Sequence, residues 1–377
     1  MGPGVASADR AARRPADLPV AYIANDRRMA LATGSDLPER TTGAGLFADV
    51  SGFVATSARL AAEFGAQRGA EELTRLLDRA IGAAIDEVRR ASGSVVYFSG
   101  DAITCWFDGE AGTLHAARAA QAAVRAVETA GRLVTPAGYA IALQLKCAVA
   151  AGPVRRFVVG DPAEQLIDVL AGDLLDELAA VEQVASPGEV LLADSARARL
   201  GEEARYADTR PLAGGRPGSA SLLTELTGAL AAPLPPPGED IDLDLDDDVV
   251  RPWLLPVVYE RLRAGRGEFV AELRSAVPVF IRFPGFDFDH DEQAPAGLHA
   301  FVELTQEVFA GHGGNVLQLT LGDKGAYLYA VLGSPVAHGD DPSRAVAAAA
   351  ELLAAAARMG VHDVQIGLTY GRVRSGT

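Results

Sequence analysis

Two aspartates, Asp49 and Asp101, stand in the segments of this chain that are best suited to chemistry. Asp49 ends the apolar run of the segment LFADVSGF and is followed by a small turn that contains glycine. Asp101 stands at a Ser-Gly-Asp tip between the β-rich runs VVYF and AITCWF, and this pattern predicts a hairpin. Carboxylates at a strand end and at a neighbouring hairpin tip supply the oxygen ligands that hard divalent cations prefer. We therefore predict that Asp49 and Asp101 hold two Mg²⁺ or Mn²⁺ ions, which would activate a hydroxyl and neutralise charge on a phosphate.

The residues after Asp49 favour a phosphate ligand. Ser51, Gly52 and Phe53 open a predicted helix, and the first backbone N–H groups of a helix bind phosphate oxygens. Gly52 permits close approach of the backbone, and Gly100 at the hairpin tip is assigned to the same phosphate-binding group. The alternative is that the aspartates are unrelated turn or capping residues, since Asp is common at helix starts.

These segments and the sequence around them resemble the catalytic domains of class III nucleotidyl cyclases, and most closely the tandem domains of the soluble adenylyl cyclase type. Blocks that match in order are ERTTGAGLFADVSGF, GAEELTRLLDRAIGAAIDEV, SGSVVYFSGDAITCWF, AAGPVRRFVVGDPAEQLIDVLAGDLLDELAAVE and VRPWLLPVVYERLRAG. The resemblance covers roughly residues 20–377. It implies conversion of ATP to 3′,5′-cyclic AMP and pyrophosphate with two Mg²⁺ or Mn²⁺ ions as cofactors.

The resemblance also implies roles for single residues. The Val50 carbonyl would be a further metal ligand, and Lys146, on the strand LQLKCAVAAG, would meet the triphosphate. Lys324 would contact adenine, because an ammonium only donates hydrogen bonds and adenine N1 accepts one, whereas guanine N1 carries a hydrogen. The alternatives are a solvent-facing lysine on a strand edge for Lys146 and a hairpin-tip lysine in solvent for Lys324.

Elements that would position these residues occur twice in the chain. Three segments of the second half align with segments of the first half. The first pair is VPVFIRFPGF (277–286) and AGLFADVSGF, and the second is GHGGNVLQLTLGDKGAYLYAVLG (311–333) and RASGSVVYFSGDAITCWFDG. The third pair is DVQIGLTYGRV (363–373) and ALQLKCAVAAGPV. We predict an α+β protein with two tandem copies of the ferredoxin-like βαββαβ fold that the cyclase resemblance implies. Arg282 stands where Asp49 stands in the first copy. The two copies are therefore expected to pair as a pseudo-heterodimer, in which the first brings the metals and the second the base pocket.

We predict an N-terminal extension (1–40), a first, metal-binding domain (41–205), a linker (206–275) and an incomplete, base-binding second domain (276–377). The linker contains PLPPPG (233–238) and a run with seven acidic residues among positions 239–248. We interpret this acidic run as a solvated segment, and the alternative is a calcium-binding loop. The second copy lacks a match to residues 157–205, where the family carries the Asn and Arg that stabilise the transition state. Relatives continue with an ATPase module and helical repeats, which this chain does not contain.

Two departures from the family concern regulation. Tyr97 and Ala179 stand where bicarbonate-responsive soluble adenylyl cyclases carry a Lys and an Arg, so we predict that bicarbonate does not activate this protein. The segment FDFDHDEQ (286–293) offers Asp287, Asp289, His290 and Asp291 as metal ligands, although a solvated acidic loop is the simpler interpretation.

Composition excludes other classes of function. A net charge of −16 argues against a nucleic-acid partner. The sequence has no run of 18 apolar residues and no secretory signal, so we expect a cytoplasmic protein without a membrane span. Cys105 and Cys147 lie in apolar strand-like runs and are expected to be buried free thiols. Two other functions stay open: a nucleotide-sensing regulatory module that binds ATP without turnover, and a plain scaffold.

Overall fold

The computed structural model describes residues 18–227, 245–264, 272–321 and 326–375. Its chain divides into two compact units. Among the described residues, unit A comprises 38–155 and 170–227, and unit B comprises 18–37, 156–169 and those that follow residue 244. The predicted Pro-rich segment at 233–238 and the acidic run up to residue 244 lie outside the described residues.

Helices and strands alternate along the described chain. The helices are α1 Asn25–Thr33, α2 Phe53–Phe64, α3 Ala66–Arg90, α4 Gly112–Ala130, α5 Asp173–Glu182, α6 Asp194–Leu200, α7 Asp247–Val250, α8 Pro256–Arg263, α9 Ala294–Gly311 and α10 Asp341–Arg358. The strands are β1 Arg40–Ser51, β2 Ser94–Ser99, β3 Ala102–Asp108, β4 Arg132–Val134, β5 Ala140–Ala142, β6 Gln144–Val159, β7 Ile167–Ala171, β8 Val190–Ala193, β9 Ala204–Pro211, β10 Ser219–Leu226, β11 Glu272–Phe283, β12 Gly314–Thr320, β13 Ala326–Leu332, β14 Gln365–Leu368 and β15 Gly371–Ser375. Short 3₁₀ turns occupy Pro19–Tyr22, Gly201–Glu203, Ala213–Gly215 and Arg251–Trp253. The predicted α+β class is confirmed.

A mixed sheet with the strand order β2-β3-β1-β6-β8-β10-β9 organises unit A. The first four strands of this order are antiparallel to their neighbours, and β8 runs parallel to β6. Taken with α3 and α4, these four strands have the order of a βαββαβ fold. β1 lies between β3 and β6 over most of its length, which places both of its neighbours at the end that carries Asp49.

The long helix α3 covers this sheet with one apolar face. Its buried residues recur at helical spacing, as the sequence predicts for an amphipathic helix packed on a sheet. They are Leu73, Leu76, Ala80, Ala84 and Val88, with Gly69 at the end next to α2. Full burial of each larger aliphatic side chain contributes about 1.5–3 kcal/mol to folding.

The first sheet extends past residue 205, where the sequence analysis places the domain boundary. β9 and β10 pair with each other, and β10 pairs with β8, so they continue the sheet as far as Leu226. Ala204, Leu223 and Leu226 are buried in the same hydrophobic core as the residues of β1. β9 and β10 do not alternate strictly between apolar and polar residues, so the sequence pattern that marks a half-buried strand is weak here.

Unit B has its own sheet, in the order β12-β13-β11-β14, with β15 also paired to β11. Counted along the chain, this is the same order as β2-β3-β1-β6, which supports the predicted internal repeat. α9 and α10 pack on β12 and β11. Arg282 lies near the end of β11, as Asp49 lies near the end of β1, and its exposed side chain donates to Gln365 at 3.3 Å.

An ionic cluster is buried within unit B. Arg156 donates to Asp168 at 2.8 Å and also pairs with Asp26, while Arg27 donates to Asp168 at 3.0 Å. The guanidinium of Arg27 also lies 5.3 Å from the ring centroid of Trp253. These contacts connect α1 to β7 and to the turn that precedes α8.

None of the helices among the described residues is both long and apolar enough to cross a membrane.

Candidate active site

The two predicted metal ligands, Asp49 on β1 and Asp101 at the β2–β3 hairpin tip, lie at one end of the unit A sheet. Asp49 on β1 is in register with Ala102, the first residue of β3, and Asp101 immediately precedes it. Ser99 pairs with Ala102, so Gly100 and Asp101 form a two-residue tip, and Gly100 has a φ of 69° that suits glycine. The backbone N–H of Val50 donates to the Asp101 carbonyl at 3.1 Å. The predicted hairpin is present, and its tip lies beside the end of β1.

Burial and like charge act on the carboxyl group of Asp101. Partial burial raises its pKa above the ordinary value, and the charge of Asp49 adds to that increase. Burial disfavours the ionised form, and a neighbouring carboxylate disfavours it further. A cation bound between the two groups would remove both effects, because it would compensate the charge that burial and repulsion penalise.

Lys146 lies on the other side of Asp49. It is in register with Asp49 on β6, and its Nζ lies 3.2 Å from Asp49 Oδ2. The same ammonium is paired with Glu182, the last residue of α5. Burial lowers the pKa of Lys146, but the hydrogen bonds and charges of Glu182 and Asp49 outweigh it and raise that pKa above the ordinary value. The side chains of Lys146, Asp49 and Glu182 are 20%, 22% and 17% exposed, so Lys146 is not a solvent-facing lysine.

A helix begins directly after the metal ligands. Ser51 is the last residue of β1, and Gly52, with a φ of 93°, caps α2, which begins at Phe53. No side chain caps this helix end, and its first turn contains no acidic residue. The N-terminal N–H groups of α2 therefore have no competing carboxylate from their own turn, which suits an anionic ligand.

The donor set at this sheet end fits a magnesium-like cation. In the described parts of the chain, no group of three or more His, Cys, Asp or Glu residues could hold a metal ion. Mg²⁺ is commonly bound by one or two carboxylates together with waters and substrate phosphates, and Asp49 and Asp101 supply two such carboxylates. The carboxylates of Asp49, Asp101 and Glu182 outnumber the ammonium of Lys146, so this sheet end attracts cations.

Glu182 is a residue that sequence reasoning missed. A glutamate at the end of an amphipathic helix predicts a solvated side chain, and nothing local indicates a partner on β6. One signal could have found it. Glu182 lies at the C-terminal end of a predicted helix, where the helix dipole disfavours a negative charge, so a nearby cation is expected.

Other predicted residues have mixed outcomes. Lys324 and its neighbour Asp323 lie outside the described residues, between β12 and β13. Asp287 and His290 are exposed, and Asp287 accepts hydrogen bonds from the backbone N–H and the Nδ1 side of His290, both at 3.0 Å. This contact forms within one turn of an exposed loop, as the simpler interpretation predicts.

The hydroxyl of Tyr97, on β2, hydrogen-bonds to the backbone of β7 within unit A. It donates to the carbonyl of Leu170 at 3.1 Å and accepts from the N–H of the same residue. Leu170 lies in β7, just before α5. Ala179, the other departure from the family, lies in α5 and has no functional group to offer a ligand.

The two cysteines are buried free thiols, as predicted. Burial raises the pKa of both Cys105 and Cys147 far above the ordinary value. Buried thiols of this kind are unreactive, because the thiolate is the nucleophile.

No protein-family model matches the chain, and no curated protein matches it. Among solved structures, the chain is similar to the guanylate cyclase domain of RhGC from Catenaria anguillulae in complex with GTP (16% identity, 50% of this chain and 100% of that one, TM-score 0.42). It is also similar to the adenylyl cyclase CyaB from P. aeruginosa (17% identity, 49% and 95%, TM-score 0.43) and to the guanylyl cyclase Cya2 (18% identity, 55% and 98%, TM-score 0.44). Identities and TM-scores of this size leave the function to be argued from the residues of this chain.

Proposed function

We propose that this protein is a nucleotidyl cyclase that converts ATP to 3′,5′-cyclic AMP and pyrophosphate. One observation carries the proposal: the carboxylates of Asp49, on β1, and Asp101, at the β2–β3 hairpin tip, lie at one sheet end, with an ammonium and the start of α2 beside them. A metal-bound triphosphate needs this combination of anionic and cationic groups.

In this reaction, the 3′-oxygen of the nucleotide attacks the α-phosphorus, the bond to the pyrophosphate oxygen breaks, and the hydroxyl proton passes to solvent. Two bound Mg²⁺ or Mn²⁺ ions would favour the deprotonated hydroxyl and neutralise phosphate charge. Asp49 and Asp101 would hold these ions, with the Val50 carbonyl as a further ligand. The N–H groups from Ser51 to Phe53, with Gly100 at the hairpin tip, would hold phosphate oxygens, and Lys146 would add positive charge. Catalysis by such residues is mainly positioning and charge neutralisation.

The preference for ATP rests on Lys324, whose ammonium donates to adenine N1 but has no acceptor for the N–H of guanine. This role stays a prediction, as does the pairing of the two copies into one pseudo-heterodimeric catalytic unit. A Lys324→Met variant is expected to reduce the preference for ATP over GTP, measured as the ratio of cyclic AMP to cyclic GMP formed under equal conditions.

The test combines product formation with binding. Cyclic nucleotide production from ATP and from GTP is measured with Mg²⁺ and with Mn²⁺, and ATP binding is measured by calorimetry. Asp49→Ala and Asp101→Asn are expected to lower the rate at least about 100-fold, a loss typical of removing transition-state charge stabilisation. Asp86→Asn, at an exposed position on α3, is the control and should leave the rate unchanged.

Two other outcomes would refute a cyclase. Metal-dependent ATP binding without any product would favour the nucleotide-sensing regulatory module. Absence of ATP binding with either metal would leave only the scaffold interpretation.

A further inference from the structure

The ammonium of Lys146 is shared by two carboxylates. Its Nζ lies 3.2 Å from Asp49 Oδ2 and is also paired with Glu182 Oε1. The three side chains come from β6, β1 and α5, so their meeting depends on the packing of α5 over the sheet. An ammonium has three donors, so both contacts are satisfied at once.

Glu182 is in an electrostatically poor position without Lys146. It is the last residue of α5, where the helix dipole disfavours a negative side chain, and the last turn of α5 contains no basic residue. Its side chain is only 17% exposed, so water compensates its charge poorly. Lys146 therefore stabilises Glu182, and the placement of this carboxylate has a local electrostatic reason.

The shared ammonium creates a competition at Asp49. The proposed cation and Lys146 both require the Asp49 carboxylate. If Asp49 were the partner of Lys146 alone, a cation that displaced the ammonium would leave a partly buried lysine without a counter-charge. Glu182 removes this obstacle, because Lys146 keeps one carboxylate when Asp49 turns to the metal.

We propose that Glu182 is a positioning residue that holds the Lys146 ammonium beside the metal ligands and thereby leaves Asp49 available to the cation. The retained ammonium then faces the region where the triphosphate would lie. This inference rests on the proposed function and adds to it a residue that acts through Lys146, without touching the substrate itself.

The test is a double-mutant cycle on metal affinity. Mn²⁺ is titrated into wild type, Glu182→Gln, Lys146→Met and the double variant, and free Mn²⁺ is followed by electron paramagnetic resonance. Glu182→Gln is expected to weaken Mn²⁺ binding about tenfold, within the range of coupling between contacting groups. Lys146→Met should tighten binding, and the double variant should match Lys146→Met within about twofold. Glu177→Gln, on the same helix but hydrogen-bonded to Ser195 at 2.9 Å, is the matched control and should bind like wild type.

A second variant separates positioning from simple charge. Glu182→Asp keeps the negative charge but withdraws it from Lys146 by one methylene. It should therefore weaken Mn²⁺ binding as Glu182→Gln does. ATP affinity at saturating Mn²⁺ gives an independent readout: Glu182→Gln should weaken it in the wild-type background and have no further effect after Lys146→Met.

Two results overturn different claims. If Glu182→Gln weakens Mn²⁺ binding equally with and without Lys146, or if Glu182→Asp binds like wild type, Glu182 acts only as a distant charge and the positioning role is wrong. If wild type binds no Mn²⁺, or binds it regardless of Asp49→Ala, the proposed cyclase site itself is wrong.

Discussion

Replacing Arg156 by Met tests whether the buried ionic cluster holds unit B together. The side chains of Arg156 and Asp168 are 2% and 10% exposed, and Arg156 also pairs with Asp26. Breaking a buried pair by removing one partner typically destabilises a protein by about 3–5 kcal/mol, because a charge stays buried without compensation. Arg27 still donates to Asp168, so we expect the lower end, about 3 kcal/mol.

Hydrogen exchange read by mass spectrometry reports this loss locally. Peptides from α1 and β7 should exchange roughly 100-fold faster in the variant, since every 1.4 kcal/mol is a factor of ten. Arg344→Met is the control, because Arg344 pairs with Asp340 at 2.6 Å on the exposed surface, where ion pairs add little to stability. If Arg156→Met changes exchange in α1 and β7 no more than Arg344→Met does, the cluster is not what stabilises this region.

The same cluster predicts a dependence on pH. Burial would raise the pKa of Asp168, but the charges and hydrogen bonds of Arg156 and Arg27 outweigh it and lower that pKa below the ordinary value. A carboxyl whose pKa is lower in the folded state adds stability above its unfolded pKa of about 3.9, and this stability disappears as the pH falls through the folded pKa. The free energy of unfolding, measured by urea denaturation, should therefore differ most between wild type and Arg156→Met at pH 7. This difference should shrink below about pH 4. A difference that stays constant down to pH 2 would contradict this explanation.

Three further predictions concern unit A. Gly43→Ala should destabilise the protein by about 1–3 kcal/mol, because a Cβ there would lie 2.2 Å from the Phe107 carbonyl oxygen. Gly82→Ala in α3 should instead stabilise it by about 0.5–1 kcal/mol, because a Cβ there would lie within 4 Å of no other atom. Equal melting temperatures of the two variants would refute this contrast. Tyr97→Phe leaves the Leu170 backbone without its hydroxyl partner and should cost about 1–3 kcal/mol in urea denaturation, and a neutral effect would show that water replaces the hydroxyl. Bicarbonate should leave cyclic nucleotide production unchanged, since the Tyr97 hydroxyl is engaged with backbone and carries no positive charge; stimulation by bicarbonate would contradict this prediction.

The sequence by itself determined the local elements. The Ser-Gly-Asp tip specified the β2–β3 hairpin, because turn residues between two β-rich runs leave few other conformations. The apolar spacing from Leu73 to Val88 specified α3 and the face that it buries. The repeated segments also predicted that β11 and its neighbours would follow the strand order of the first copy, because similar strand and hairpin segments recur in the same order along the chain.

Only the tertiary structure decided which distant charges meet. Arg27 and Asp168 are separated by 141 residues along the chain, and neither lies in a motif that identifies its partner. Lys146 and Glu182 become neighbours only because α5 packs where β6 and β1 carry their charged residues. Periodicity and turn chemistry act over a few residues, whereas the partner of a buried charge is set by the register of strands and the docking of helices that are far apart in sequence.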